Sequence, residues 1–193
     1  MYTRRFWVDT ETTGLSAAKH FAFQVSYLIE ENHAILLSRT LELCPLDYER
    51  YEFSRQAEAV HGYSYDKIIA LPPETEAIET LLKDLEQHGK DRLTITGYNI
   101  SFDIFFLKAM FGRGGLGSAF YKYFDRMNCD IMQLVQAYRI AGMINLPRID
   151  LESVCRYFGI DTKTAHHSMT DILNTKAIFD KITGMSAVPE QCV

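Results

Sequence analysis

Apolar residues along the chain alternate between the spacing typical of strands and the spacing typical of helices. Runs rich in β-branched and aromatic residues predict strands wherever polar or glycine-containing segments bound them. The stretch 21–43 is interrupted by polar residues at 30–33, which predicts two antiparallel strands joined by a hairpin. Five strands follow from these patterns: about 4–10, the two halves of 21–43, about 93–97 and about 127–130.

Apolar residues at helical spacing fill most of the second half of the chain. They predict helices over about 74–87, 102–112, 131–138, 151–158 and 169–182. Pro72 and Pro73 precede the first of these helices, and Asp150 is a candidate N-cap for the fourth. Three strands followed by alternating strands and helices predict one α/β domain.

We expect that domain to span residues 1–183, with a flexible C-terminal tail over 184–193. The glycine- and tyrosine-rich segment 112–126 stays unassigned, and its first residues, 112–117, are expected to form a loop.

Composition limits the function classes. The chain has 193 residues and a net charge of −5, so it is long enough for a sizeable core and too acidic for a nucleic-acid binder with a broad basic surface. Its four cysteines are scattered, and no apolar run resembles a signal peptide or a membrane span. We therefore expect a soluble cytoplasmic protein with reduced thiols, and no membrane association.

Two carboxylates stand at the end of the first predicted strand. Asp9 and Glu11 are two residues apart, so a strand directs both side chains to the same face. They are either ordinary solvated acids or half of a cation site. The apolar residues before them place them at the carboxyl end of a buried strand, where α/β sheets carry active sites.

Two further clusters lie where a helix begins. Asn99 leaves the fourth strand and Asp103 falls in the first turn of the next helix, where the helix dipole alone favours an acid and Asn99 is a possible N-cap. His166 and Asp171 precede and open the last helix, although adjacent histidines such as His166 and His167 are often surface residues. Together the clusters bring four carboxylates and a histidine to one region, which implies a divalent cation, and oxygen ligands select Mg²⁺ or Mn²⁺.

These segments resemble a known family. Val8-Asp-Thr-Glu-Thr-Thr-Gly-Leu15, Asn99-Ile-Ser-Phe-Asp103 and His166-His-Ser-Met-Thr-Asp171 are similar to the three motifs of the DEDDh (DnaQ-like) 3′→5′ exonucleases, typified by the epsilon proofreading subunit of bacterial DNA polymerase III. Val60-His61-Gly62 and the segment 151–160 add supporting matches. Ser168 stands where the family usually has alanine, and the family spacing selects His166 over His167.

The resemblance implies a ribonuclease H-like exonuclease fold, a mixed five-stranded sheet flanked by helices. It implies that Asp9, Glu11, Asp103 and Asp171 hold two Mg²⁺ or Mn²⁺ ions that stabilise the attacking and leaving oxygens of an in-line displacement. His166 would act as the general base for the attacking water.

The resemblance also implies contacts with the substrate, a single-stranded nucleic acid 3′ end. These would come from the Thr12 backbone, the Leu15 wedge, His61, Asn99 and Phe102, although a plain core or capping role stays open for Leu15, His61 and Phe102. The expected products are nucleoside 5′-monophosphates, and a DNA polymerase is a possible partner.

Two other functions stay open. Thr12-Thr13 favours DNA over RNA as substrate, yet an RNA-trimming exoribonuclease of the same family fits as well. A catalytically silent scaffold or polymerase-binding domain is the alternative of another class, although every catalytic position is filled.

Overall fold

A five-stranded mixed sheet forms the centre of the molecule. The computed structural model describes residues 3–88, 91–162 and 167–184. The strand order is β3-β2-β1-β4-β5, in which β1 pairs antiparallel with β2 and parallel with β4. The strands are β1 Arg4–Thr12, β2 Ala22–Glu31, β3 Ala34–Glu42, β4 Leu93–Gly97 and β5 Phe124–Asp130.

Eight α-helices lie among the described residues. They are α1 Arg55–His61, α2 Tyr65–Ile69, α3 Glu74–His88, α4 Ser101–Arg113, α5 Phe120–Tyr123, α6 Ile131–Ile140, α7 Leu151–Tyr157 and α8 Ser168–Thr183. The fold class expected from the sequence, a mixed five-stranded sheet flanked by helices, is confirmed.

The central strand β1 separates two apolar layers. Because successive side chains of a strand point to opposite faces, Phe6 and Val8 lie in one layer, with α3 and α4, and Trp7 lies in the other, with α6, α7 and α8. All three side chains are buried. The same alternation continues to the carboxyl end of β1, so successive side chains there also point to one layer and the other in turn.

The hairpin between β2 and β3 is tighter than the polar run suggested. Glu30 and Glu31 belong to β2, and the turn consists of Asn32 and His33, both with positive φ (49° and 72°). Two central residues with positive φ are typical of the hairpin turns whose twist matches that of the flanking strands. The polar residue Glu30 is 1% exposed, so it is part of the core rather than of the turn.

Glu30 forms a buried ionic network that joins β1, β2 and α8. Its carboxylate lies 2.5 Å from Arg5 Nη1 and 3.1 Å from Lys176 Nζ, and it accepts a hydrogen bond from Trp7 Nε1 at 3.1 Å. Arg5 also stacks over the Phe179 ring. The network therefore attaches α8 to the centre of the sheet.

Asp150 is the N-cap of α7, as the sequence predicted, because its side chain accepts from Ser153 N. The short helices α1, α2 and α5 were not predicted individually, and part of the unassigned segment 112–126 is helical. The C-terminal tail expected from 184 lies outside the described residues apart from Gly184.

Removing the charge of Glu30 should destabilise the fold strongly, because this carboxylate holds the buried network together. Glu30→Gln leaves the Arg5 and Lys176 cations without their shared counter-charge, so the free energy of unfolding falls by about 3–5 kcal/mol. Urea unfolding followed by circular dichroism measures this loss.

The matched control is Glu152→Gln, which breaks the exposed pair with Arg156 at 2.6 Å. An exposed pair of this spacing contributes only about 0.3–0.5 kcal/mol. Equal losses for the two variants would show that the Glu30 network does not anchor α8.

Candidate active site

Three of the predicted carboxylates meet where β1 ends against α8. Asp9 and Glu11 share the face of β1 that turns toward α8, the helix whose first turn carries Asp171. Asp171 N bonds to the carbonyl of His167, so this acid lies in the first hydrogen-bonded turn. The three side chains are each partly accessible to solvent.

The fourth carboxylate comes from the opposite layer. Asp103 lies in the first turn of α4, is buried, and its Oδ1 accepts from Thr10 N at 2.9 Å and from Thr10 Oγ1 at 2.8 Å. Thr10 lies between the two acids of β1 and points to the other face, so it ties α4 to the strand. No role was predicted for Thr10 from the sequence, although its position between Asp9 and Glu11 is a signal that points to this contact.

The four carboxylates influence one another's ionisation. Burial, followed by the charges of Asp103, Asp171 and Glu11, raises the pKa of Asp9 well above its usual value. Burial and the charge of Asp171 raise the pKa of Glu11 to about 7. Burial also raises the pKa of Asp103 to about 7, although the hydrogen bonds from Thr10 oppose that shift. Acids that raise one another's pKa must lie close together, as expected from the sequence.

This set of donors suits a divalent cation. Four carboxylates supply only oxygen ligands and a large negative charge, the combination that Mg²⁺ and Mn²⁺ prefer. Within the described residues, no group of three or more His, Cys, Asp or Glu side chains is already arranged to hold a metal ion. That these residues suit a divalent cation is therefore inferred from their oxygen ligands and from the mutual repulsion of the acids, which a cation would relieve.

Asn99 occupies a strained turn between β4 and α4. Its φ is 54°, an uncommon value for a residue with a side chain, and its N–H donates to Asp130 Oδ1 at 3.0 Å. The N-cap of α4 is Ile100, so the alternative that Asn99 caps this helix is wrong. Asp130, which also accepts from Met132 N, holds the turn that leads into Asp103.

Leu15 and Phe102 face a common groove at the amino end of α4, the helix that carries Asp103. The groove has a volume of about 310 Å³ and is lined by residues 15–18 and by Phe102, Phe105 and Phe106. Leu15 is 82% exposed at the tip of its loop. Phe105, one of the apolar residues whose spacing predicted this helix, is 64% exposed, because the buried side of α4 consists of Asp103, Phe106, Leu107, Met110 and Phe111.

Thr12 and His61 are held mainly by internal contacts. Thr12 Oγ1 donates to the Gly14 carbonyl at 2.8 Å, at the start of the loop that carries Leu15. The ring of His61 packs edge-on against Phe23 at 4.7 Å, and its Nδ1 accepts from Tyr63 N. Burial lowers the pKa of His61, which favours the neutral form of the ring.

The predicted general base, His166, lies outside the described residues. His167 is the N-cap residue of α8, and its side chain is exposed. The choice between the two histidines therefore rests on sequence spacing.

Ser168 anchors the start of α8 to the sheet. Its hydroxyl is buried, lies 2.6 Å from Ser26 Oγ and donates to Gln24 Oε1 at 2.7 Å. Both partners belong to β2. The unusual serine of the third motif thus connects the helix that carries Asp171 to the sheet, and its partners on β2 could not be predicted from the sequence.

Comparison with protein families identifies the class of protein. The family model described as Exonuclease (RNase_T) matches residues 6–179, nearly the whole chain. The protein belongs to this exonuclease family. Sequence comparison with curated proteins gave no match.

Solved structures with a similar fold include Escherichia coli exonuclease I. Its zinc-bound complex with single-stranded DNA has a TM-score of 0.77 and 18% identity, over 95% of this chain and 41% of that one. Its complex with a dT13 oligonucleotide has a TM-score of 0.73 and 19% identity, over 93% and 41%. This chain therefore spans less than half the length of these relatives, and the likeness concerns the fold.

No helix among the described residues is long and apolar enough to cross a membrane.

The raised pKa of Glu11 predicts a pH-dependent stability. In chelator, an unfolded chain loses this proton near pH 4.5, whereas the folded chain keeps it until about pH 7. The free energy of unfolding therefore falls as the pH rises between these values. Glu11→Gln should raise the melting temperature at pH 8 and leave it nearly unchanged at pH 4.

Thermal unfolding in EDTA at both pH values tests this expectation. Glu79→Gln, at an exposed position of α3, removes the same charge away from the acids and serves as control. A gain for Glu79→Gln equal to that for Glu11→Gln, or no gain at pH 8, would contradict the electrostatic account of the site.

Proposed function

We propose that this protein is a metal-dependent 3′→5′ exonuclease. It removes nucleoside 5′-monophosphates from single-stranded or frayed DNA 3′ ends by two-metal-ion hydrolysis. The observation that carries the proposal is the convergence of four carboxylates from three elements at the carboxyl end of the central strand in a chain of an exonuclease family. Three of them, Asp9, Glu11 and Asp103, have raised pKa values.

Asp9, Glu11, Asp103 and Asp171 would hold the two Mg²⁺ or Mn²⁺ ions. When bound, such ions neutralise the charge that develops on the attacking and leaving oxygens of a phosphodiester. The zinc ion named for the E. coli exonuclease I complex supports a divalent cation in this fold.

The chain's own residues position the substrate. Leu15 and Phe102 line one groove. Leu15 and the Thr12 backbone would lie beside the terminal nucleotide, while Phe102 and His61 would contact the last nucleotides. Asn99 would brace the turn that presents Asp103. His166 would remove the proton from the attacking water, because an imidazole with a pKa near neutrality suits a general base.

Single-stranded DNA is the preferred substrate in this proposal. E. coli exonuclease I, which has the same fold, is described in complexes with single-stranded DNA and with dT13. A proofreading role with a DNA polymerase, as in the epsilon subunit that the motifs resemble, is one setting for this activity; repair or processing of DNA ends is another. The net charge of −5 suits a substrate held end-on through cations rather than by a basic surface.

Degradation of a labelled oligonucleotide tests the proposal. A 5′-labelled dT12 should yield a ladder that shortens from the 3′ end with Mg²⁺ or Mn²⁺ and disappears with EDTA. Asp9→Asn should lower the rate more than about 100-fold, since even residues behind metal ligands typically contribute 10–100-fold.

An RNA oligonucleotide of the same length distinguishes the substrate classes. Faster degradation of RNA would favour the exoribonuclease alternative. Folded wild-type protein that degrades neither oligonucleotide with either metal would refute the enzymatic proposal and favour a scaffold.

The two adjacent histidines give a second test. His166→Ala should lower kcat by about 10²- to 10⁴-fold, the usual contribution of a general base. His167→Ala, which alters only the exposed side chain of the α8 N-cap residue, should change kcat little. A larger loss for His167→Ala than for His166→Ala would refute the assignment.

A further inference from the structure

An exposed aromatic and cationic surface continues from the Leu15 groove along α4. Phe105 lines that groove and is 64% exposed. Lys108 is exposed one turn further on, about 60° around the helix, so the two side chains are neighbours on its surface. This surface begins near the amino end of α4, the helix whose first turn carries Asp103, and continues toward its carboxyl end.

Lys108 leads to a second group of exposed residues. Its Nζ donates to Tyr121 Oη at 2.8 Å and lies 5.1 Å from the centre of the Tyr121 ring. A small groove of about 60 Å³ is lined by Lys108, Tyr121 and Arg126, together with Asp125 and Asn128. The hydrogen bond from Lys108, followed by the charges of Lys108 and then of Arg126, lowers the pKa of Tyr121.

Both cations are available to an external anion. Among the described residues, ten of the 16 other lysines and arginines form salt bridges, whereas neither Lys108 nor Arg126 has an acidic partner within 4.0 Å. The neighbouring acid Asp125 accepts a hydrogen bond from Thr94 Oγ1 on β4. Two cations without an acidic partner therefore lie beside one exposed aromatic ring in a chain with a net charge of −5.

We propose that Phe105, Lys108, Tyr121 and Arg126 form a binding track for the nucleic acid strand upstream of the scissile 3′ end. The inference rests on the proposed function, because it extends the substrate site along the strand. Exposed aromatic rings supply sequence-tolerant stacking surfaces for bases, and the two cations supply contacts to phosphates. The track begins at the groove that would receive the terminal base, so one strand can occupy both.

Binding without hydrolysis tests the track directly. Fluorescence anisotropy of 5′-fluorescein-dT12 in EDTA compares wild type with Lys108→Glu/Arg126→Glu. The double variant should raise Kd at least about tenfold, and the slope of log K against log salt should decrease by about 1.4, since each single-strand phosphate contact contributes about 0.7.

A matched control separates local from general charge effects. Lys83→Glu/Lys181→Glu makes the same change in net charge at exposed positions of α3 and α8, and neither residue lines the two grooves. Its Kd should stay within twofold of wild type. Equal weakening by the two double variants, or none by Lys108→Glu/Arg126→Glu, would refute the track.

Phe105→Ala provides a variant without a charge change. It should also weaken dT12 binding, by about fivefold or more, whereas Ile140→Ala, which shortens an equally exposed apolar side chain on α6, should not. Equal binding by Phe105→Ala and wild type would contradict the stacking role.

Two substrates distinguish failure of the track from failure of the proposed function. With Mn²⁺, the ratio of kcat/KM for dT12 to that for the p-nitrophenyl ester of thymidine 5′-monophosphate should fall about tenfold in Lys108→Glu/Arg126→Glu, because the ester has no upstream strand. An unchanged ratio would contradict the track. Wild-type protein that binds dT12 through these residues but hydrolyses neither substrate would refute the exonuclease proposal alone.

Discussion

Mutual repulsion among four carboxylates is the constraint on which the site depends. Asp9, Glu11, Asp103 and Asp171 all approach the carboxyl end of β1, and each of the first three has a raised pKa as a result of burial and of its acidic neighbours. Their ionised forms destabilise the folded chain, so the surrounding structure must hold them together. A cation bound among them would offset this cost, which links the stability of the fold to the proposed chemistry.

Ties from both layers hold the acids in place. Thr10 fixes Asp103 and thereby α4 to β1. On the other side, the Glu30 network and the buried Ser168 hydroxyl fix α8 at two points along its length. The helices that bring acids to β1 are therefore attached by polar contacts in addition to apolar packing, and these contacts define how each helix is oriented toward the strand.

Alternation along β1 made the main features of the site predictable. Side chains alternate along a strand, so Asp9 and Glu11 were predicted to share one face. The other two acids were predicted to lie where helices begin, from the apolar spacing of the residues that follow them. The Glu30 network was not predictable, because its partners are distant in sequence and Glu30 stands in a polar run that resembles a turn. The exposure of Phe105 was not predictable for a related reason: apolar spacing alone does not show which edge of a helix's apolar face is covered.

Anomalous diffraction from crystals grown with Mn²⁺ tests the central claim most directly, since it locates the cation without reference to activity. The account predicts anomalous density in contact with carboxylate oxygens of Asp9 and of its acidic neighbours from α4 and α8. Mn²⁺ bound elsewhere on the molecule, with these four carboxylates free of metal at saturating concentration, would contradict it.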